Sequence, residues 1–190
     1  RMENIRNRIT PHFIYNALNH ELLAQQQGKP TQLHILVNLL RQGQALANVF
    51  CTSLKEEMDF IQLYVTIEGE ALGDNFCYKT ILENGIEPEQ IKLPSMMIQI
   101  FVENAIKHGL KNMPIDREES TKRKLTLHVY IKENNIHIEV LNNGNPLNLQ
   151  NRNHNTQTGL RVVSQTIQLL NERNKRPMSY SLTEYKDEEG

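Results

Sequence analysis

A histidine near the beginning of the chain has neighbours that suit it to nucleophilic chemistry. His12 follows Pro11, which removes a backbone donor and loosens a helix at that point. Asn16 lies one helical turn further along, on the same face. An imidazole with a pKa of about 6.5 is largely neutral at pH 7, so a ring nitrogen can act as a nucleophile. A solvated or capping histidine is the simpler alternative, and it stays open on this segment alone.

A second polar group interrupts the otherwise apolar segment from Leu93 to Gly109. Glu103 and Asn104 are followed one turn later by Lys107 and His108. Glu103 and Lys107 have the spacing of an ordinary helical ion pair. That pairing does not explain Asn104, whose amide oxygen can be a ligand of Mg²⁺, while Lys107 can face a phosphate. The segment therefore predicts a phosphate and magnesium site.

A third polar group follows the last predicted hairpin strand. Asn142, Asn143 and Gly144 stand at the strand end, and Thr158-Gly159-Leu160 stands where a helix is predicted to begin. Glycine at a helix N-terminus lets backbone N–H groups approach a phosphate. The polar run between the two groups has little periodicity, which is typical of a lid or binding loop.

The composition excludes several classes of function. The 190 residues carry 21 Lys and Arg against 22 Asp and Glu, a net charge of −1. Such a chain has no basic field for nucleic acid and no polybasic patch for a membrane surface. No apolar run reaches the roughly 20 residues of a membrane helix. Cys51 and Cys77 have neither metal-site nor disulfide spacing, which favours a reducing compartment.

Three helices are predicted in the first part of the chain. Residues 2–27 have helical periodicity, with a kink or a restart of the helix expected at Pro11. A second helix is expected to carry Leu33, Leu36, Val37, Leu40 and Ala47 on one face. Ser53 and Glu56 form a capping box that begins a third helix ending near Leu72. Such helices would pair as an antiparallel hairpin and bury their stripes in a dimer.

The rest of the chain alternates between strand and helix patterns. Residues 76–82 predict a strand, 95–110 a helix, and 124–132 with 136–140 a β-hairpin that turns at Asn134-Asn135. A last helix is predicted from Gly159 to about Asn174, followed by a strand at Tyr180 and Leu182. We therefore predict an α+β protein with a helical hairpin at 1–72 and an α/β sandwich at 73–190. The last residues have the pattern of a strand-turn, and it stays open whether a strand is cut there.

In this order, the three groups resemble the LytS-like sensor histidine kinases. The first box of that family is matched by Pro11, His12, Phe13, Asn16, Leu18 and Asn19. The second is matched by Pro94, Gln99, Glu103, Asn104, Ala105, Lys107, His108 and Gly109. The resemblance covers roughly residues 1–175. It implies a helical dimerisation hairpin followed by a GHKL-type two-layer ATP-binding domain.

The resemblance also implies roles for individual residues. His12 would accept the phosphoryl group from ATP, with Glu103 and Asn16 as further catalytic residues and Asn104 as the Mg²⁺ ligand. The implied nucleotide-binding residues are Asn104, Lys107, His108, Asn142, Gly144, Thr158, Gly159 and Leu160. The family further implies a homodimer, a response-regulator partner, and a place as the cytoplasmic portion of a bacterial inner-membrane protein whose membrane region lies upstream of these residues.

The sequence departs from the family pattern at the nucleotide boxes. Asn142 stands where the family has an aspartate, Pro146 and Gln157 stand where it has glycines, and Ala71 stands where it has an arginine. An amide oxygen still accepts a hydrogen bond, but without charge assistance. These departures leave two hypotheses: an ATP-dependent protein-histidine kinase, and a catalytically weak or silent pseudokinase that acts as a dimeric scaffold.

Overall fold

A computed structural model describes residues 18–19, 22–23, 25–28, 33–113, 122–145, 154–172 and 174–184. The predictions for His12, Asn16 and most of the first helix lie outside these ranges. The described residues of that first segment are helical at 18–19, 22–23 and 25–26. The remainder is a mixture of helices and small sheets, so the predicted α+β class is confirmed.

Helix α1 spans Leu33–Ala47, but its buried face differs from the predicted apolar face. The buried residues are Leu36, Leu39, Gly43 and Leu46. Leu33 and Val37, which belong to the predicted apolar face, are exposed in the single chain. Gly43 lies at the contact with α2, where the backbone of α1 comes close to the Phe60 ring. A Cβ on Gly43 would lie 3.3 Å from that ring. A glycine adds nothing to a hydrophobic pattern, which is why the sequence did not show this contact.

Strand β1 (Cys51–Ser53) leads directly into helix α2 (Leu54–Leu72), and the predicted capping box is confirmed. The Ser53 hydroxyl accepts from the Glu56 backbone N–H, and Glu56 accepts from the Ser53 N–H at 2.8 Å. The helix ends at Gly73, whose φ of 84° requires a residue without a Cβ. Buried side chains along α2 include Phe60, Ile61, Tyr64 and Val65.

A three-stranded sheet follows α2 and has the order β2-β4-β5. Its strands are β2 (Phe76–Leu82), β4 (Arg123–Lys132) and β5 (Asn135–Asn142), with β2 parallel to β4 and β4 antiparallel to β5. The predicted strand and hairpin are confirmed. The hairpin turns one residue earlier than predicted, because Glu133 and Asn134 have the positive φ values that a two-residue turn requires.

A second, two-stranded sheet precedes the helix that carries the second polar group. Strand β3 (Lys92–Pro94) pairs antiparallel with β1. Helix α3 then spans Met97–Asn104 and continues as a π-helical segment, π1, over Ala105–Leu110. The predicted helix at 95–110 is therefore present, but its last six residues have the wider π geometry.

Helix α4 spans His154–Asn171, and two predictions for this region were wrong. Gly159 lies inside the helix rather than at its beginning, and Tyr180 and Leu182 do not form a strand. Instead, the Asn171 side chain bonds both backbone groups of Met178, at 2.8 Å each. An amide side chain can thus supply the hydrogen bonds that a neighbouring strand would otherwise make to a backbone N–H and C=O.

The chain divides into two compact units, Arg1–Asn145 and Pro146–Gly190. In the first unit, one apolar core runs from Leu36 and Leu39 of α1, through α2 and α3, to Leu125 and Leu127 of β4. The predicted boundary between residues 72 and 73 stays a prediction.

Candidate functional site

The second polar group, Glu103, Asn104, Lys107 and His108, lies at the junction of α3 and π1. Asn104 is the last residue of α3, and Lys107, His108 and Gly109 lie in π1. A π segment changes the angular spacing of its side chains and is frequent at functional sites. The predicted residues of this segment therefore lie together on consecutive turns, at a point where the helix changes geometry.

Glu103 and Lys107 form an ion pair across this junction. The Lys107 Nζ contacts the Glu103 Oε1, with side-chain exposures of 22% and 14%. The interpretation of these two residues as an i,i+4 pair is thus confirmed. Because the pair is mostly shielded from water, its attraction is screened less than that of a surface pair.

Asn104 has unused hydrogen-bonding capacity at the predicted magnesium position. Its amide nitrogen is buried, and it finds no partner among the described residues. Buried polar groups in folded proteins are nearly always paired, so an unpaired one calls for an explanation. The unpaired nitrogen is a donor that suits an anionic oxygen of a ligand such as a phosphate, whereas the amide oxygen is the atom of Asn104 that could bind Mg²⁺.

The surroundings of His108 favour its neutral form. Burial lowers the pKa of His108, the positive charge of Lys107 lowers it further, and Glu103 opposes both effects. A neutral imidazole offers one donor and one acceptor. His108 can therefore donate a hydrogen bond to a phosphate oxygen, while Lys107 supplies positive charge.

The structure adds a second ion pair that the sequence did not indicate. Glu68 of α2 is fully buried, and its carboxylate lies 2.7 Å from the Lys111 Nζ, one residue beyond π1. Burial raises the pKa of Tyr64, and the negative charges of Glu68 and Glu103 raise it further. The one available signal was Glu68 on the apolar face of α2, where a carboxylate needs a partner.

The second polar group meets the strand-end part of the third, Asn142 to Gly144, at Gly109. A Cβ on Gly109 would overlap the Asn142 Oδ1, and a Cβ on Gly144 would overlap the Gly109 backbone. The Asn142 Oδ1 accepts from the Gly144 N–H at 3.0 Å, and the Asn145 N–H donates to the Gly109 carbonyl at 3.3 Å. The end of β5 and the end of π1 are therefore in backbone contact.

Two further asparagines fix the end of β5 in place. The Asn143 side chain accepts from the Lys124 N–H and donates to the Lys122 carbonyl, both at 2.7 Å. The Asn145 side chain donates to the Asn112 carbonyl at 2.7 Å. The clustered asparagines thus act as local backbone partners, a role for which their short amides are suited.

The remaining predicted site residues belong to the second unit. Thr158, Gly159 and Leu160 lie within α4, where Gly159 and Leu160 are half-buried. Their predicted contacts with a nucleotide stay predictions, as do the roles of His12 and Asn16. The described residues contain no group of three or more His, Cys, Asp or Glu side chains suited to a metal.

The chain is similar in sequence to known sensor proteins over about three quarters of its length. The sequence model described as "Histidine kinase" matches residues 1–76. The LytS sensor protein of Oceanobacillus iheyensis is 29% identical over 149 residues, 76% of this chain and 24% of the relative. The resemblance to the LytS-like sensor histidine kinases is confirmed.

Two more sensor proteins have comparable similarity to this chain. The LytS sensor protein of Bacillus cereus is 27% identical over 140 residues, 72% of the chain and 22% of the relative. The sensor protein kinase HptS of Staphylococcus aureus is 26% identical over 146 residues, 75% of the chain and 26% of the relative. The chain thus spans about a quarter of the length of the relatives it matches. In the part that the structure describes, no helix is long and apolar enough to cross a bilayer.

Proposed function

We propose that this chain is the kinase core of a two-component sensor histidine kinase. It would use ATP with Mg²⁺ to phosphorylate His12 and pass the phosphoryl group to an aspartate of a response regulator. The names of the LytS and HptS relatives support a sensor kinase role. We further propose that β2, β4 and β5 with their helices form a GHKL-type nucleotide-binding domain.

One observation carries this proposal: the contact between π1 and the end of β5. Gly109 approaches Asn142 and Gly144 so closely that neither glycine has room for a Cβ. Asn104, Lys107 and His108 stand on the same helical segment as Gly109. A nucleotide seated here would meet an amide ligand for Mg²⁺, a lysine, a neutral imidazole and an amide acceptor within one small region.

The proposed reaction is an in-line phosphoryl transfer. A neutral nitrogen of His12 attacks the γ-phosphorus, a N–P bond forms, and the P–O bond to the β-phosphate breaks and releases ADP. Lys107 balances charge on the phosphates, His108 donates a hydrogen bond to a phosphate oxygen, and Asn142 accepts from the adenine amino group. We assign Thr158, Gly159 and Leu160 to nucleotide binding as well. When bound at Asn104, Mg²⁺ neutralises the charge that develops on the phosphate oxygens. Glu103 orients His12 or a water molecule.

The resemblance to sensor histidine kinases also supports proposals for the oligomeric state, the partner and the cellular location. The active form is a homodimer through the helical hairpin, and the partner is a response regulator. The chain is the cytoplasmic portion of a bacterial inner-membrane sensor. Its neutral charge balance of 21 basic and 22 acidic residues offers no support for binding nucleic acid.

Incubation with γ-labelled ATP and Mg²⁺ tests the proposal. We expect acid-labile label on the protein, which His12→Ala abolishes while the variant still binds ATP in calorimetry. His34→Ala is a matched control, because His34 lies exposed on α1 and belongs to none of the three polar groups. Persistence of the label in His12→Ala would contradict the assignment of the phospho-acceptor.

The silent scaffold makes a different prediction in the same experiment. A pseudokinase would take up no label, and calorimetry would detect no binding of ATP. The Asn142 oxygen accepts from the Gly144 N–H and has a second lone pair for a nucleotide donor, so this contact by itself does not favour the alternative.

A further inference from the structure

A buried carboxylate of α2 holds the beginning of the site helix α3. Glu57 lies in the first turn of α2 and is 0% exposed. Its carboxylate accepts hydrogen bonds from the backbone N–H groups of Met96, Ile98 and Gln99, the Ile98 bond being 3.3 Å long. These are N–H groups at the start of α3, which have no partner inside their own helix. Glu57 therefore caps a helix that is far from it in sequence.

Helix α3 depends on this external cap because the residue at its own N-cap position supplies none. Met96 has a φ of 63° and provides no side-chain capping hydrogen bond. A left-handed conformation is unfavourable for a residue with a large side chain. Contacts from outside the helix must therefore hold the chain in this conformation, and Glu57 is bonded to Met96 itself.

The same junction also holds the end of α1. The Ser95 hydroxyl donates to the Leu46 carbonyl at 2.6 Å, and the Ser95 N–H donates to the Phe50 carbonyl at 3.0 Å. Strands β1 and β3, which lead into α2 and α3, pair with each other. The end of α1 and the beginnings of α2 and α3 are thus joined at one point.

We propose that Glu57 is a positioning residue through which the helical region sets the place of Asn104, Lys107 and His108. Helix α3 and π1 are continuous, so a displacement at Met96 moves the residues of the candidate site. Misplacement of reacting groups by about 1 Å can cost on the order of a hundredfold in rate. This inference rests on the proposed role of these residues in nucleotide binding.

The neighbouring glutamate supplies a matched control. Glu56 is exposed, and its carboxylate accepts from the Ser53 N–H, the Ser53 hydroxyl and the Thr52 hydroxyl, all at the beginning of α2. None of these bonds reaches α3. Glu56→Gln therefore perturbs the same helix by the same chemical change, but leaves the cap of α3 intact.

The test measures MgATP affinity, urea stability and amide hydrogen exchange of the 190-residue chain. At about pH 8, above the pKa of about 7 to which burial raises this carboxyl, Glu57 is ionised. We expect Glu57→Gln to weaken MgATP binding at least about tenfold and to speed amide exchange at residues 96–99. Glu57→Asp, which keeps the charge, should restore part of the affinity, and Glu56→Gln should change it less than about twofold while lowering the urea midpoint.

The outcomes separate this inference from the proposed function. If Glu57→Gln lowers stability but leaves MgATP affinity within twofold of the parent, Glu57 is a structural residue only. If the parent chain binds no nucleotide, the proposed function fails, and unchanged exchange at residues 96–99 in Glu57→Gln would then overturn the capping role as well. If Glu57→Gln does not fold, Glu57→Asp and Glu56→Gln are compared by the same measurements.

Discussion

Two adjacent glutamates at the beginning of α2 have pKa values that are shifted in opposite directions. Hydrogen bonds from the Ser53 N–H, and from the Thr52 and Ser53 hydroxyls, lower the pKa of Glu56 to about 2. Burial raises the pKa of Glu57 to about 7, although three backbone N–H groups oppose that shift. The difference follows from exposure, since water solvates the charge of Glu56 and does not reach Glu57.

The raised pKa of Glu57 makes a prediction about stability. A carboxyl that binds its proton more tightly in the folded state stabilises that state below its unfolded pKa of 4.5 and loses this contribution as the pH rises through about 7. The free energy of unfolding of the parent, relative to Glu57→Gln, should fall by up to about 3 kcal/mol over that interval. Urea unfolding at several pH values measures it, and a difference that stays constant or rises with pH would contradict the assigned environment.

Asn142 is the residue at which the chain departs most directly from the family pattern. Its Oδ1 accepts from the Gly144 N–H, a bond that an aspartate oxygen would keep. We expect Asn142→Asp to bind ATP at least as tightly as the parent, because a carboxylate is the stronger acceptor. Calorimetry with MgATP measures the affinity, and Asn48→Asp is the matched control, because Asn48 is exposed just beyond the end of α1 and belongs to none of the three polar groups. A marked loss of affinity in Asn142→Asp would mean that the amide is itself required.

At the scale of elements, the contact between π1 and the end of β5 depends on two glycines. One lies against a side chain and the other against backbone. A Cβ on Gly109 meets the end of the Asn142 side chain, which can move, whereas a Cβ on Gly144 meets the backbone of Gly109, which cannot. The two glycines should therefore respond differently to the same substitution.

Gly144→Ala should lower the free energy of unfolding by about 3 kcal/mol, and Gly109→Ala by about 1 kcal/mol. The cost of Gly109→Ala should nearly vanish in an Asn142→Ala background, because the overlapping side chain is then gone. The cost of Gly144→Ala should persist there. Urea unfolding of the double-mutant cycle tests this arrangement, and equal coupling of both alanines to Asn142→Ala would count against it.

At the scale of the whole molecule, helix α1 has apolar side chains that are exposed to solvent in the single chain. Leu33 and Val37 on α1 are 60% and 45% exposed, although the helix buries its other face on α2. The proposed homodimer would bury these side chains, since α1 alone cannot cover both of its apolar faces.

Charged substitutions on this face should weaken the dimer. We expect Leu33→Asp with Val37→Asp to shift the chain from dimer to monomer in light scattering at micromolar concentration. Leu169→Asp is the matched control, because Leu169 is 36% exposed on α4, in the other compact unit. A dimer that survives the double substitution and dissociates in the control would place the interface elsewhere.

Local chemistry explains which predictions were right. The capping box at Ser53 and Glu56, the strand at 76–82 and the hairpin strands are signalled by neighbouring residues, and all are confirmed. The beginning of α4 was predicted wrongly. The contact of Gly43 on α1 with Phe60 was not predicted, because a glycine carries no hydrophobic signal.

The sequence by itself determined the α+β class, most of the element positions and the resemblance to sensor histidine kinases, because periodicity, caps and box residues are local properties. Only the tertiary structure decided that Gly109 meets Asn142, that Glu68 pairs with Lys111, and that Glu57 caps α3. Each of these joins residues more than 30 positions apart. These contacts form when packing removes water from polar groups, because a buried polar group then needs a hydrogen-bonding or charged partner within the protein. That condition exists only in the folded chain.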